Sequence, residues 1–127
     1  MDSPPVGMPH RLAVAVGGYG ERIAERYLRD QGLVVLERNW RCEIGEIDLV
    51  ARDGEVLVVC EVKTRRGTAY GSPVEAITVA KLARLRRLAA AWVAQRGGGF
   101  DNLRVDVVGV FRPRSGPCVV DHLRGVA

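Results

Sequence analysis

The chain has 127 residues, 47% of them apolar, and carries 19 basic against 15 acidic residues for a net charge of +4. That is enough apolar matter for one domain with a real core, which excludes a disordered chain. The charge fits a nucleic-acid partner through its arginines, since only Lys63 and Lys81 are lysines, and it fits equally a modestly basic protein from an arginine-favouring proteome.

The elements follow in chain order. Residues 1–16 read as a flexible tail preceding a single domain over 17–127; they lack the basic start and long apolar stretch of a signal peptide, and the apolar run 12–16 is too short to span a membrane. A helix is expected over 18–31, ended by Gly32, with Tyr19, Ile23, Ala24, Tyr27 and Leu28 as its apolar stripe. At about 100° per residue, Glu21 borders that stripe and Glu25 points further towards solvent. Strands are expected over 33–41, 46–52 and 55–64, the last two joined at Asp53-Gly54. Residues 64–73 form a basic, glycine-containing loop with Arg65 and Arg66. A second helix is expected over 74–95, stopped by Gly97-Gly98-Gly99, then a strand over 103–111, a turn over 112–117 and a short strand over 119–123. Helix, three strands, helix and one or two strands, depending on whether 119–123 pairs, make an α/β sandwich in which helices flank a central mixed β-sheet.

Cys42, Cys60 and Cys118 are odd in number and lack Cys-x-x-Cys spacing, which argues against zinc and a disulfide framework and for a reducing, cytoplasmic compartment. Cys60 reads as a small buried hydrophobe. His10 and His122 stand alone near the chain ends. Asp106, inside a strand, is expected to pair with an arginine. No Ser-His-Asp set, Walker loop or dinucleotide fingerprint is present, so no nucleotide cofactor is expected.

The chemistry concentrates in Gly45-Glu46-Ile47-Asp48 and Glu61-Val62-Lys63. Carboxylates in half-buried strands cost free energy unless something pairs with them. A two-residue turn at Asp53-Gly54 pairs Arg52 with Glu55, which sets Asp48 opposite Val59 and Glu46 opposite Glu61. Alternation then puts Glu46, Asp48, Glu61 and Lys63 on one face, with Asp48 and Glu61 diagonal and roughly 7–8 Å apart at the backbone. Such a pair suits Mg²⁺ or Mn²⁺, hard cations that accept one or two carboxylates together with phosphate, and Lys63 would steady charge on that phosphate. The plain alternative is a solvated ladder of ion pairs. Lys81 falls inside the apolar stripe of Val74, Ile77, Leu85, Leu88 and Trp92, and either snorkels to its edge or looks onto the acidic site. Arg84, Arg86 and Arg87 fall outside that stripe and, with Arg65 and Arg66, are candidate phosphate contacts.

Asp48 followed by Glu61-Val62-Lys63 resembles the PD-(D/E)xK nuclease superfamily with its restriction-endonuclease-like fold. More narrowly, Gly20-Glu21-Arg22-Ile23-Ala24-Glu25, Asn39-Trp40-Arg41, Gly45-Glu46-Ile47-Asp48, Glu61-Val62-Lys63-Thr64-Arg65, Gly71-Ser72-Pro73, Lys81 and Arg104-Val105-Asp106 resemble the bacterial YraN family, itself similar to archaeal Holliday-junction resolvases. The resemblance covers residues 18–124. It implies a magnesium-dependent nuclease in which Asp48 and Glu61 are metal ligands, Lys63 the catalytic lysine and Glu21 the first-helix glutamate that completes the site. It further implies a DNA substrate, with branched and single-stranded DNA as the candidates, and a homodimer. Ile47 stands where the superfamily pattern has proline. A non-catalytic DNA-binding or interaction module on the same fold is the rival expectation.

Overall fold

The computed structural model describes residues 10–66 and 77–126. Helix α1 spans His10–Asp30, β1 Val34–Cys42, β2 Gly45–Asp53, β3 Val56–Arg66, α2 Val79–Arg96, β4 Asn102–Arg112 and β5 Val119–Leu123. The five strands form one sheet in the order β1-β2-β3-β4-β5, with β3 and β4 parallel and every other neighbouring pair antiparallel. The β3–α2–β4 crossover supplies the parallel pair, as such connections must.

Helix α1 covers one face of the sheet. Ala24 and Leu28 pack there on Leu49, Ala51, Val58, Cys60, Val62, Val108 and Val110. Helix α2 covers the other, where Leu85, Leu88 and Trp92 meet Trp40, Ile47, Val50, Leu57, Val59 and Val105. Strand β4 is buried from Val105 to Val110, as expected of a strand covered on both sides, with Asp106 the one charged residue in the run.

Each helix ends on a glycine in the left-handed region. After α1, Gly32 has φ 93°, its N–H reaches the Arg29 carbonyl at 3.0 Å, and the Leu33 N–H reaches the Leu28 carbonyl at 3.0 Å. That double bond is a Schellman ending, sealed by the burial of Leu28 and Leu33 in one cluster.

Three expectations change. Helix α1 starts at His10, not at residue 18, so it continues through Gly17-Gly18 and overlaps the expected tail; residues 1–9 lie outside the described residues. Helix α2 starts at Val79, because Thr78 takes the N-cap and its hydroxyl accepts the Lys81 N–H at 3.1 Å. The hairpin turn is Gly54-Glu55, with Asp53 opposite Val56 and Arg52 opposite Leu57. Gly54 has φ 60°, which the first central position of a type II′ turn requires. The register therefore moves by two residues from the expected one. Most of the expected 64–73 loop, with Gly71-Ser72-Pro73, and Val74 of the expected second helix lie outside the described residues.

Candidate functional site

The acidic residues collect where β2 leaves β3. Pairing runs from Asp53–Val56 to Leu49–Cys60. One step further the same register would set Asp48 opposite Glu61 itself, not diagonal to it. The ladder is replaced there by the Asp48 side chain, whose Oδ2 accepts the Val62 N–H at 2.8 Å. A strand N–H lies in the plane of the sheet, so the carboxylate that accepts it lies between the two strands.

Both neighbouring strands turn over at this point. Arg38 and Leu49 are register partners, and both meet the α1 side, Arg38 through an ion pair to Glu25 and Leu49 in the α1 cluster. Trp40 and Ile47 are the next partners, and both pack in the α2 cluster. Residues two apart should share a face; here they do not. Asn39 and Asp48 stand at the turnover, and Asn39 has φ 52°, the only non-glycine in the left-handed region among the described residues. The plain alternation expected to bring Glu46 beside Asp48 does not run through this point. Glu46 instead faces its register partner Arg41, with Arg41 Nε 3.5 Å from Glu46 Oε2.

Glu61 and Lys63 continue the side of β3 on which Leu57 and Val59 face α2. Lys63 Nζ lies 3.1 Å from Glu61 Oε2, and both residues are buried, at 5% and 7% exposed. Asp48 is 2% exposed. Burial pushes its carboxyl up to about 7; the Glu61 carboxylate adds to this, the Val62 N–H opposes it, and Glu21 contributes a smaller push upward.

Glu21 reaches the gap from the α1 side because α1 comes unusually close to β3. A Cβ built on Gly20 would lie 1.9 Å from Thr64 Oγ1, so only glycine allows this approach. The Asn39 amide, oriented to donate, lies 3.1 Å from each carboxylate oxygen of Glu21. Lys81 is half-buried in the first turn of α2, on the side of the sheet that Glu61 and Lys63 share. Arg65 is half-buried near the end of β3, while the Arg66 side chain lies outside the described residues. Arg84, Arg86 and Arg87 are exposed on α2. Among the described residues, no three His, Cys, Asp or Glu side chains are drawn together closely enough to hold a metal ion by themselves.

Two features escaped sequence reasoning. Glu25, expected to point to solvent, is 7% exposed and bridges Arg29 at 2.6 Å and Arg38 at 3.3 Å. A second acidic centre surrounds Asp106, which is fully buried and accepts from Arg104 Nε at 2.9 Å, Arg104 Nη2 at 3.0 Å and the Gly125 N–H at 2.9 Å, with His122 Nε2 at 2.7 Å. The expected arginine partner is thus Arg104, and His122, read as isolated, belongs to the same cluster. Burial pushes the Asp106 carboxyl up, but Arg104, Gly125 and His122 together hold it below its ordinary value. Its one sequence signal is Arg104-x-Asp106, two residues sharing a strand face.

These elements define an α/β sandwich on a five-stranded mixed sheet, consistent with the restriction-endonuclease-like architecture, with two carboxylates and a lysine at the parting of two strands. No described helix is long and apolar enough to cross a membrane. The family model described as Uncharacterised protein family UPF0102 matches residues 20–110, and the chain belongs to this family, the YraN-like one. Three similar relatives carry the same family name. One from Nocardioides sp. (strain ATCC BAA-499 / JS614) is 62% identical over 112 residues, covering 88% of this chain and 90% of the relative. One from Beutenbergia cavernae is 60% identical over 116 residues, covering 91% and 98%. One from Streptomyces coelicolor is 57% identical over 115 residues, covering 89% and 88%.

Proposed function

We propose that this protein is a divalent-metal-dependent hydrolase of DNA phosphodiester bonds, of the PD-(D/E)xK kind and related to archaeal Holliday-junction resolvases. The observation that carries the reading is the pair of buried carboxylates, Asp48 and Glu61, beside buried Lys63 at an open strand end. The donor set suits a hard cation. Both ligands are carboxylates, and Mg²⁺ or Mn²⁺ is typically held by one or two of these plus water and phosphate oxygens. Asp48, raised to about 7, has lost to burial and to Glu61 what a cation would restore. When bound, the ion would supply Lewis-acid polarisation of the scissile phosphate.

The chain's own residues do the rest. Asp48 is oriented by the Val62 N–H, which uses Oδ2, so that Oδ1 would be the oxygen offered to an ion. Lys63 holds its ammonium 3.1 Å from Glu61, where it can orient that carboxylate and steady negative charge gathering on the phosphate. Glu21, set by Asn39, completes the acidic surroundings from the α1 side. Lys81 is an auxiliary cation and Arg65 a phosphate contact near the end of β3.

The test is incubation of pure protein with Mn²⁺ and linear, flapped and four-way DNA, wild type against Asp48→Asn. Cleavage lost in the variant supports the reading; cleavage that persists in it overturns the assignment. The rival is a DNA-binding module without catalysis on the same fold. Metal-independent DNA binding with no cleavage of any substrate would establish it.

A further inference from the structure

The seam between α1 and β1 leads away from the acidic gap and is lined with arginine. Arg22, Glu25, Arg26, Arg29 and Arg38 surround a hollow of about 350 Å³. At about 100° per residue, Arg22, Arg26 and Arg29 recur at i, i+4 and i+7 and form one stripe along α1. Arg38 faces them from β1. All four arginines are exposed.

A basic helix face is ordinarily a solvated one, but two features set this one apart. The first is Glu25. A buried carboxylate beneath an exposed basic stripe binds Arg29 at 2.6 Å and Arg38 at 3.3 Å, one from each wall. It orients two guanidinium forks, and each retains N–H groups for a second acceptor. The lining keeps a net positive charge, four cations against one anion. The second is continuity with the acidic gap. Asn39 holds Glu21, and its chain neighbour Arg38 holds Glu25 one helical turn further on. The hollow therefore begins beside the proposed site and runs along the helix. From Arg22 to Arg29 the helix rises about 10 Å, a span that a short stretch of phosphodiester backbone can follow.

We infer that this seam is the track for a nucleic-acid backbone, with Arg22, Arg26, Arg29 and Arg38 contacting phosphates of the strand that enters the acidic gap. The inference deepens the hydrolase reading and rests on it for the destination of the strand. The occupant is a phosphodiester backbone because four of the five lining side chains are guanidinium and none is aromatic or aliphatic, as a peptide side chain would need.

The experiment measures binding of a fluorescein-labelled DNA duplex by anisotropy, in EDTA, between about 25 and 200 mM salt. Each lost phosphate contact should lower the slope of log affinity against log salt by about 0.9. Arg22→Gln with Arg26→Gln should flatten it by about 2. Arg114→Gln with Arg124→Gln removes the same charge at the β5 edge, the far side of the sheet from β1, and should leave the slope unchanged. An unchanged slope in the first variant, equal flattening in the second, or no binding by the wild type each overturns the track. Without metal no hydrolysis can occur, so these slopes stand apart from the cleavage test. Failure of Asp48-dependent cleavage would sink the hydrolase reading and leave the salt data legible.

Discussion

Replacing Asp48 by Asn should stabilise the metal-free protein at neutral pH and remove most of its stability loss between mildly acidic and neutral pH. An ordinary aspartate in the unfolded chain titrates near 3.8, whereas in the fold this carboxyl is pushed up to about 7. Between those values the folded protein binds more protons than the unfolded chain. A raised acid contributes stability that is complete below 3.8 and is lost as pH climbs through about 7. At about 1.36 kcal/mol per pH unit, the ceiling for this loss is about 4 kcal/mol. Relaxation of the fold around the charge lowers this ceiling, so the expected gain for Asp48→Asn at pH 8 is about 1–3 kcal/mol. Asparagine keeps the oxygen that accepts the Val62 N–H, so the local backbone should survive. Urea unfolding of both proteins at pH 5 and pH 8, in EDTA, reads the effect. Mn²⁺ should then stabilise the wild type at pH 8 and leave Asp48→Asn unmoved. A variant no more stable than wild type at pH 8, or one with the same pH dependence, would refute the reasoning.

Three further outcomes are expected. Asn39→Ala and Asn39→Gly should both lose the hold on Glu21, but the alanine also bears about 1–2 kcal/mol of left-handed strain at φ 52°, so glycine should be the more stable of the two by urea melts while both weaken cleavage. Gly20→Ala should destabilise by about 1–2 kcal/mol, since overpacking against Thr64 exceeds the helical gain of alanine. Adding Thr64→Ala should recover part of this, and a Gly20→Ala protein as stable as wild type would show that α1 and Thr64 do not pack this closely. Asp106→Asn should cost about 3 kcal/mol at pH 7; because the Asp106 carboxyl is held low, its contribution is present above 3.8 and lost as pH falls through its lower folded value, so acid titration of the variant should show a shallower loss than the wild type.

The fold was legible because its strands announce themselves by type. Val56–Val62 and Val105–Val110 are valine-rich runs, and glycines stand after both helices, so element order and a mixed sheet follow from pattern alone. The pairing of β2 with β3 was legible to within two residues. Asp-Gly reads as the turn itself, but the chain places Gly54 at the first central position and Asp53 in the last strand pair. A shift of two conserves side-chain faces, so the closeness of Asp48 to Glu61 was reached by a register that was wrong in detail. What the sequence could not disclose is the turnover at Asn39 and Asp48. Periodicity assumes regular pleating, and Trp40 and Ile47 are apolar residues that fit either face. The burial of Glu25 is hidden for a similar reason. Helical angle places it off the apolar stripe, and only β1, arriving with Arg38, closes over it.

The turnover also explains why an acidic gap can exist in a sheet that is otherwise densely apolar. A regular strand would send Asp48 onto one face, either beneath α2 among Leu85 and Leu88 or beneath α1 beside Leu28, where an unpaired carboxylate is costly. By reversing both β1 and β2 at one level, the chain keeps Leu49 on one core and Ile47 on the other while turning Asp48 edgewise into the gap between β2 and β3. The Val62 N–H that loses its ladder partner there is satisfied by the carboxylate, so the break leaves that group paired. The remaining carboxylate oxygen, the rise of the carboxyl to about 7 and the neighbouring Glu61–Lys63 pair are consequences of that single geometric choice. The site is therefore written into the sheet irregularity as much as into its acidic residues, and a variant that restored regular pleating at Asn39 and Asp48 would lose the site even with every carboxylate retained.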